Sequence, residues 1–157
     1  MQKITPFLWF DDQAEQAVNF YTSVFKDSKI GSISRFGEGG AGPKGKVMTA
    51  SFELFGQEFV ALNGGPVFNF TPAISFYVHC ETQDEVDYYW ERLSEGGEPG
   101  QCGWLQDQFG VSWQIVPDVL VELMSDPDAE KAGRVTQAML QMGKIEIEKL
   151  RQAYEGA

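Results

Sequence analysis

The sequence repeats itself in pattern: residues 7–25 and 75–93 can be laid over one another. Each stretch sits in a longer run of the same kind. A short apolar and aromatic segment comes first, Ile4–Phe10 (ITPFLWF) in one copy and Ala73–His79 (AISFYVH) in the other. Such runs read as short buried strands. An acidic start follows, Asp12 with Glu15 and Thr82 with Glu85, the spacing of a capping box. Apolar side chains then recur at helical spacing: Ala14, Ala17, Val18, Tyr21, Val24 and Phe25, then Val86, Tyr89, Trp90 and Leu93. A repeat of strand, capped helix and further strands constrains the chain to two copies of one supersecondary unit.

The strands after each helix are legible from their boundaries. Lys29–Phe36 and Val47–Phe55 flank the glycine-rich loop Gly37–Gly45. Gly56-Gln57 is the expected turn into Glu58–Asn63, which closes a hairpin. In the second copy, Gly103–Gln106 and Val111–Val116 flank a turn at Gln108-Phe109-Gly110. Pro117–Met124 reads as a short helix. Pro127 sits near the first turn of the next helix, where a missing N–H costs little. Its apolar face is Ala132, Val135, Ala138, Met139 and Met142, and a last helix carries Ile145, Ile147, Leu150, Ala153 and Tyr154. These helices are expected as a lid on the core or on a second subunit, with a partner-binding helix pair as the alternative.

At 157 residues the chain is one domain by length and needs no covalent staple. Twelve Lys and Arg against 23 Asp and Glu give a net charge of −11. That field repels phosphate backbones and anionic lipid, so neither nucleic acid nor a membrane is an expected partner. Two cysteines, Cys80 and Cys102, with no secretory or membrane-length apolar run, read as a reduced, cytoplasmic protein.

Several strings approach chemical motifs and stop short. Gly37-Glu-Gly-Gly-Ala-Gly42 fits GxGxxG, but a dinucleotide site needs a helix next, and Val47 onward reads as strand. GAGPKGK over 40–46 is followed by Val47, where a P-loop needs Ser or Thr for magnesium. His79 is the one histidine, at a strand exit, and no pair of metal ligands stands at recognisable spacing. No cofactor is called for.

Longer strings carry a family resemblance. Ile4–Phe10, Ala17-Val-Asn-Phe-Tyr21, Ala61-Leu-Asn-Gly-Gly-Pro66, Ala73-Ile-Ser-Phe-Tyr-Val78 and above all CGWLQDQFGVSWQIVP over 102–117 resemble the vicinal-oxygen-chelate superfamily of glyoxalase I and bleomycin-resistance proteins. Within it the chain is similar to the PhnB-like branch, often named 3-demethylubiquinone-9 3-methyltransferase, as is the tail string MGKIEIEKL over 142–150. The resemblance implies an α+β fold of two βαβββ modules whose sheets curve into a cup, plus C-terminal helices. One domain over 1–157 is then expected, with module one at 1–66, module two at 67–117 and a helical tail at 118–157. A homodimer is implied as well.

Metal-dependent relatives hold one metal through four side chains. The corresponding positions here are Thr5, Asn63, Ala73 and Gln114. Three are neutral oxygen donors and Ala73 has no donor, a poor set for zinc or nickel. The methyl transfer in the branch's name usually needs a doubly wound fold with a Gly-rich strand-to-helix turn, and this sequence has no such turn.

Strand alternation selects a cup-facing set. With Thr5 inward, Phe7 and Trp9 follow, then Phe59, Ala61 and Asn63. In the second copy the set is Ala73, Ser75 and Tyr77, then Ser112 and Gln114. Ile4, Leu8, Ile74, Phe76, Val78, Trp113 and Ile115 are expected beneath the helices. The lining is aromatic with a few neutral polar groups, which suits an apolar or aromatic small-molecule ligand. Two alternatives stay open: an enzyme needing no protein-bound metal, with Cys102, Ser75 or Tyr77 contributing, and a metal enzyme with weak, water-completed ligation.

Overall fold

The computed structural model describes residues 2–156; Met1 and Ala157, the ends of the expected domain, lie outside them. The chain divides into two compact units, Met1–Phe70 and Thr71–Ala157. The first contains β1 (Phe7–Phe10), α1 (Ala14–Val24), β2 (Ser28–Arg35), β3 (Val47–Leu54) and β4 (Gln57–Asn63). Its sheet order is β1-β4-β3-β2, with β1 parallel to β4 and the other pairs antiparallel. The second begins with β5 (Ser75–Cys80), α2 (Gln83–Ser94), β6 (Glu98–Pro99), β7 (Trp104–Gln106) and β8 (Ser112–Pro117). Its order is β5-β8-β7-β6, again with the first and last strands parallel. The repeat read in the sequence is thus a repeat of topology, two βαβββ modules. Helices α3 (Asp118–Met124), α4 (Ala129–Leu140) and α5 (Ile147–Glu155) complete an α+β chain.

In the first unit one face of the sheet is sealed by α1. Ala14, Ala17, Val18, Tyr21 and Val24 are buried, as are Leu8, Phe10, Ala50, Phe52, Leu54, Phe59 and Ala61. Tyr21 stacks on Phe52 at 5.9 Å and Phe52 on Phe59 at 5.3 Å. Burying each such ring contributes about 1.5–3 kcal/mol.

Two local expectations are corrected here. The hairpin turns on Phe55-Gly56, one residue before the expected Gly56-Gln57, with φ of 52° and 79° and Leu54 paired to Gln57. A left-handed Phe costs about 1 kcal/mol; its ring lies edge-on to Phe25 at 5.9 Å. The Asp12–Glu15 box does not form. The N-cap of α1 is Gln13, without a side-chain cap bond, and Asn63 Oδ1 instead accepts from the Ala14 N–H at 2.8 Å.

The register corrects the expected faces. Phe7 lies opposite Val60, Leu8 opposite Ala61, Trp9 opposite Leu62 and Phe10 opposite Asn63. Phe59, Ala61 and Asn63 therefore share the helix face with Leu8 and Phe10. The open face carries Phe7, Trp9, Val60 and Leu62. Ile4 and Ile74, expected beneath the helices, are 85% and 74% exposed.

In the second unit α2 buries Val86, Tyr89 and Leu93 on the face that holds Leu105, Trp113 and Ile115. Here the cap forms: Thr82 Oγ1 accepts from Glu85 N at 3.2 Å, while Glu85 Oε1 accepts from Glu81 N at 3.0 Å. The long string over 102–117 is explained by a buried carboxylate. Asp107 Oδ1 accepts from Phe109 N at 2.9 Å and Val111 N at 3.1 Å, and Oδ2 from Trp113 Nε1 at 2.9 Å.

The three tail helices belong to this unit's core. Leu120, Val135, Met142, Ile145 and Leu150 form one buried cluster with Val116 of β8. Met142 and Gly143 carbonyls accept from Cys102 and Gly103 N–H groups at 2.8 and 2.9 Å. The Gln83 side chain clamps the entry to α5, donating to Ile145 O at 3.0 Å and accepting from Ile147 N at 2.7 Å. Pro127 stands just before the N-cap Asp128, beside the first turn of α4. Among the described residues no helix is long and apolar enough to cross a membrane.

Candidate ligand pocket

The first unit encloses a cavity of about 890 Å³ at one end of its sheet, where β1, β4 and β2 finish and β3 begins. Its apolar wall comprises Trp9, Leu62, Met48, Phe36 and Pro43. Asp11, Asp12 and Glu15 border it at the start of α1, and Arg35 and Lys46 at the base of the glycine-rich loop.

The glycines make this wall possible. The Trp9 indole packs against Gly64, where a Cβ would come within 2.3 Å of the ring. Trp9 Nε1 donates to Gly65 O at 3.0 Å, and Phe68 packs edge-on at 4.9 Å. The loop is folded back on Phe36, whose ring leaves no room for a side chain at Gly42. Its base is closed by Phe36 N to Lys46 O at 2.9 Å, Gly45 N to Phe36 O at 2.8 Å and Arg35 Nη1 to Gly45 O at 3.2 Å. The glycine string thus shapes a flap and leads into β3, without the helix start that a phosphate or methyl-donor cofactor would use.

Of the residues read as lining, Trp9 and Asn63 border this cavity. Both polar atoms of Asn63 are engaged, Oδ1 by Ala14 N and Nδ2 by Val47 O at 2.9 Å. Phe59 and Ala61 are buried beneath α1, while Phe7 is 59% exposed on the open face. Thr5 precedes β1, and Ala73 precedes β5 with its N–H on Thr71 Oγ1. In the second unit the register sets Ser75 beside Ser112 and Tyr77 beside Gln114, all on one face of the sheet. Gln114 Nε2 donates to Ser75 Oγ at 2.9 Å. Ser112 borders a smaller pocket of about 280 Å³ with Trp104 and Gln106, and its buried hydroxyl has no partner among the described residues.

The three catalytic candidates are not joined. Cys102 sits half-buried in the loop before β7 with φ of 58°. Ser75 is held by Gln114. Tyr77 is raised above the ordinary phenol range, first by burial, then by the charges of Asp118 and Cys80. Its ring lies 4.7 Å from that of His79, whose Nδ1 is 3.3 Å from Asp118 Oδ1. Burial pushes the Cys80 thiol up to about 12, with Glu85 and Asp118 adding to it.

The four metal-equivalent positions do not suit a metal. Ala73 has no donor atom, Asn63 is committed to backbone, and Gln114 is bonded to Ser75. Among the described residues no three His, Cys, Asp or Glu side chains are grouped to hold an ion. Sequence reasoning missed Arg35, Phe36, Pro43 and Lys46. The available signal was two cations and an aromatic ring bracketing a glycine loop between paired strands.

A sequence model of the family described as 3-demethylubiquinone-9 3-methyltransferase matches residues 2–116. A PhnB protein from Bacillus cereus is 46% identical, superposes with a TM-score of 0.67, and aligns over 74% of this chain and 99% of its own. A protein from Pseudomonas aeruginosa aligns at 20% identity and a TM-score of 0.63, over 74% and 98%. The fosfomycin resistance protein FosX from Mesorhizobium loti shares the fold at 13% identity and a TM-score of 0.51, over 72% and 90%. No curated protein matches.

Proposed function

The chain belongs to the 3-demethylubiquinone-9 3-methyltransferase family, and on that premise we propose that it is a PhnB-like member of the vicinal-oxygen-chelate superfamily that binds an apolar or aromatic small molecule in the first unit's cavity. One observation carries this reading. Trp9, Leu62, Met48, Phe36 and Pro43 converge on a cavity of about 890 Å³, the size and character of small-molecule pockets. Trp9 is held rigid by Gly64, Gly65 and Phe68, so a flat ligand meets a preformed aromatic wall.

A panel of aromatic and aliphatic compounds, neutral and zwitterionic, tested by thermal shift checks the proposal. A ligand at a hundred times its Kd stabilises by about 2.7 kcal/mol, and Trp9→Ala should weaken that ligand. A panel in which no compound raises the Tm overturns the reading.

A second reading, an enzyme without a protein-bound metal, is favoured by the second unit's Tyr77, His79 and Asp118. The contact of His79 with Asp118 would orient the imidazole as a base. Unchanged turnover in both Tyr77→Phe and His79→Ala, once a reaction is found, removes it. A homodimer completes the proposal; Ile4, Phe7 and Ile74 offer it exposed apolar surface. A monomer by light scattering would contradict it.

A further inference from the structure

We propose that the ligand of the first unit's cavity is an elongated zwitterion, with an ammonium group at one end, a carboxylate at the other and an apolar body between. This rests on the binding reading above and deepens it. The cavity's charged residues are sorted by sign. Asp11, Asp12 and Glu15 stand where β1 gives way to α1; Arg35 and Lys46 stand where β2 and β3 enter their loop. In the order β1-β4-β3-β2, β1 and β2 are opposite edges, so Arg35 stands three strand spacings or about 14 Å from the acidic group, and Lys46, at the start of β3, two spacings or about 10 Å. Among the described residues, no ion pair joins the two groups. The nearby Lys44 is taken by Glu38, and among the described residues the Arg35 guanidinium is bonded to the Gly45 carbonyl. Each set therefore faces the cavity with its charge uncompensated by the other. Leu62 of β4 and Met48 of β3 lie between them, and Trp9 stands on β1 just before the acidic group.

The chain's overall charge sharpens the choice. A net −11 repels a simple anion at long range and draws a cation in. The carboxylate of a zwitterion is then held locally by Arg35 and Lys46, while its ammonium end offsets the approach. Either single-charge ligand satisfies one wall and leaves the other unmatched. An exposed ion pair is worth about 0.2–1 kcal/mol and is screened by salt.

The test uses the full chain and four probes of one length: ω-aminooctanoate, octanoate, octylamine and octanol, titrated calorimetrically at low and high salt. The expected result is tightest binding of ω-aminooctanoate, with octanoate and octylamine each weaker by about three- to fivefold and the gap narrowing in salt. Lys46→Gln should bring ω-aminooctanoate towards octylamine, and Asp12→Asn should bring it towards octanoate; both side chains are exposed, so folding is preserved. Equal affinity for all four probes, or preference for octanoate, overturns this inference and leaves the binding reading intact. So does binding of a neutral aromatic compound when none of the four binds. Binding of nothing overturns both.

Discussion

Asn63, the last residue of β4, caps a helix 49 positions earlier in the chain: its Oδ1 accepts from the Ala14 N–H at 2.8 Å. The same side chain donates from Nδ2 to Val47 O at 2.9 Å, so one amide ties α1, β3 and β4 together at the cavity's rim. Loss of a helix cap costs about 1–2 kcal/mol and an orphaned carbonyl about 1 more. Asn63→Ala is expected to lose about 2–3 kcal/mol by urea denaturation, on those principles. Asn63→Asp keeps the acceptor and loses the donor, so it should fall between wild type and Asn63→Ala.

Gly64→Ala tests the aromatic wall. The added Cβ would lie 2.3 Å from Trp9 Cε2, so the indole must move. A cost of about 1–3 kcal/mol is expected for such overpacking. The diagnostic readout is loss of ligand-induced stabilisation beyond that of an equally destabilised variant at a remote site.

Asp107 should be the most costly single site in the second unit. Its carboxylate receives three N–H groups, and hydrogen bonds to a charged group are worth about 1.5–3 kcal/mol each, not additively. Asp107→Ala is expected to destabilise by more than about 3 kcal/mol, with an altered tryptophan spectrum as Trp113 loses its partner. A change under about 1 kcal/mol would contradict the assignment of this carboxylate as the organiser of the turn.

The two thiols should differ sharply in reactivity. Cys80 is held at about 12 against an ordinary 9.0, which leaves about a thousandth of the thiolate an ordinary thiol has at neutral pH. One rapid equivalent of thiol, from Cys102, is expected with a disulfide reagent at pH 8, and a second only on unfolding. The linkage has the same sign. The raised folded value stabilises fully below the unfolded thiol's range and is lost as pH climbs from there towards 12. Cys80→Ala should flatten that alkaline limb.

Acid should release the contact that Tyr154 makes with Asp126. Tyr154 Oη donates to Asp126 Oδ2 at 2.7 Å. This bond, then the backbone bond from Asp128, holds the carboxyl below its ordinary 3.8. A depressed folded value contributes stability above the unfolded pKa, lost as pH falls through the folded one. Tyr154→Phe should therefore lower stability near neutral pH and converge with wild type well below pH 3.8; equal gaps at both ends would refute the coupling.

Much of the architecture was legible because periodicity and breakers agreed. The helical stripes through Tyr21 and Tyr89 and the turn at Gln108-Phe109-Gly110 follow directly from spacing. The faces of β4 were not legible. Phe59, Val60, Ala61 and Leu62 are all apolar, so alternation gives no sign of which side points in. The deciding facts are the Phe55-Gly56 turn and the cap that Asn63 supplies, both set by tertiary structure. In the second unit, alternating Ser75, Tyr77 and Gln114 with Phe76, Val78 and Ile115 made the faces readable. The cavity was missed for another reason: its wall includes a loop, and loop side chains carry no period.

The two modules share a strand order but start their helices differently. The cap of α2 comes from Thr82, beside the helix it serves, so that helix can begin as soon as its own residues are present. The cap of α1 waits for a residue that arrives 49 positions later. During synthesis the first helix therefore stays underspecified until β4 has emerged, and closing that loop carries an entropic cost before any contact repays it. The two modules share one topology, yet one draws its helix cap from the adjacent residue and the other from across the sheet.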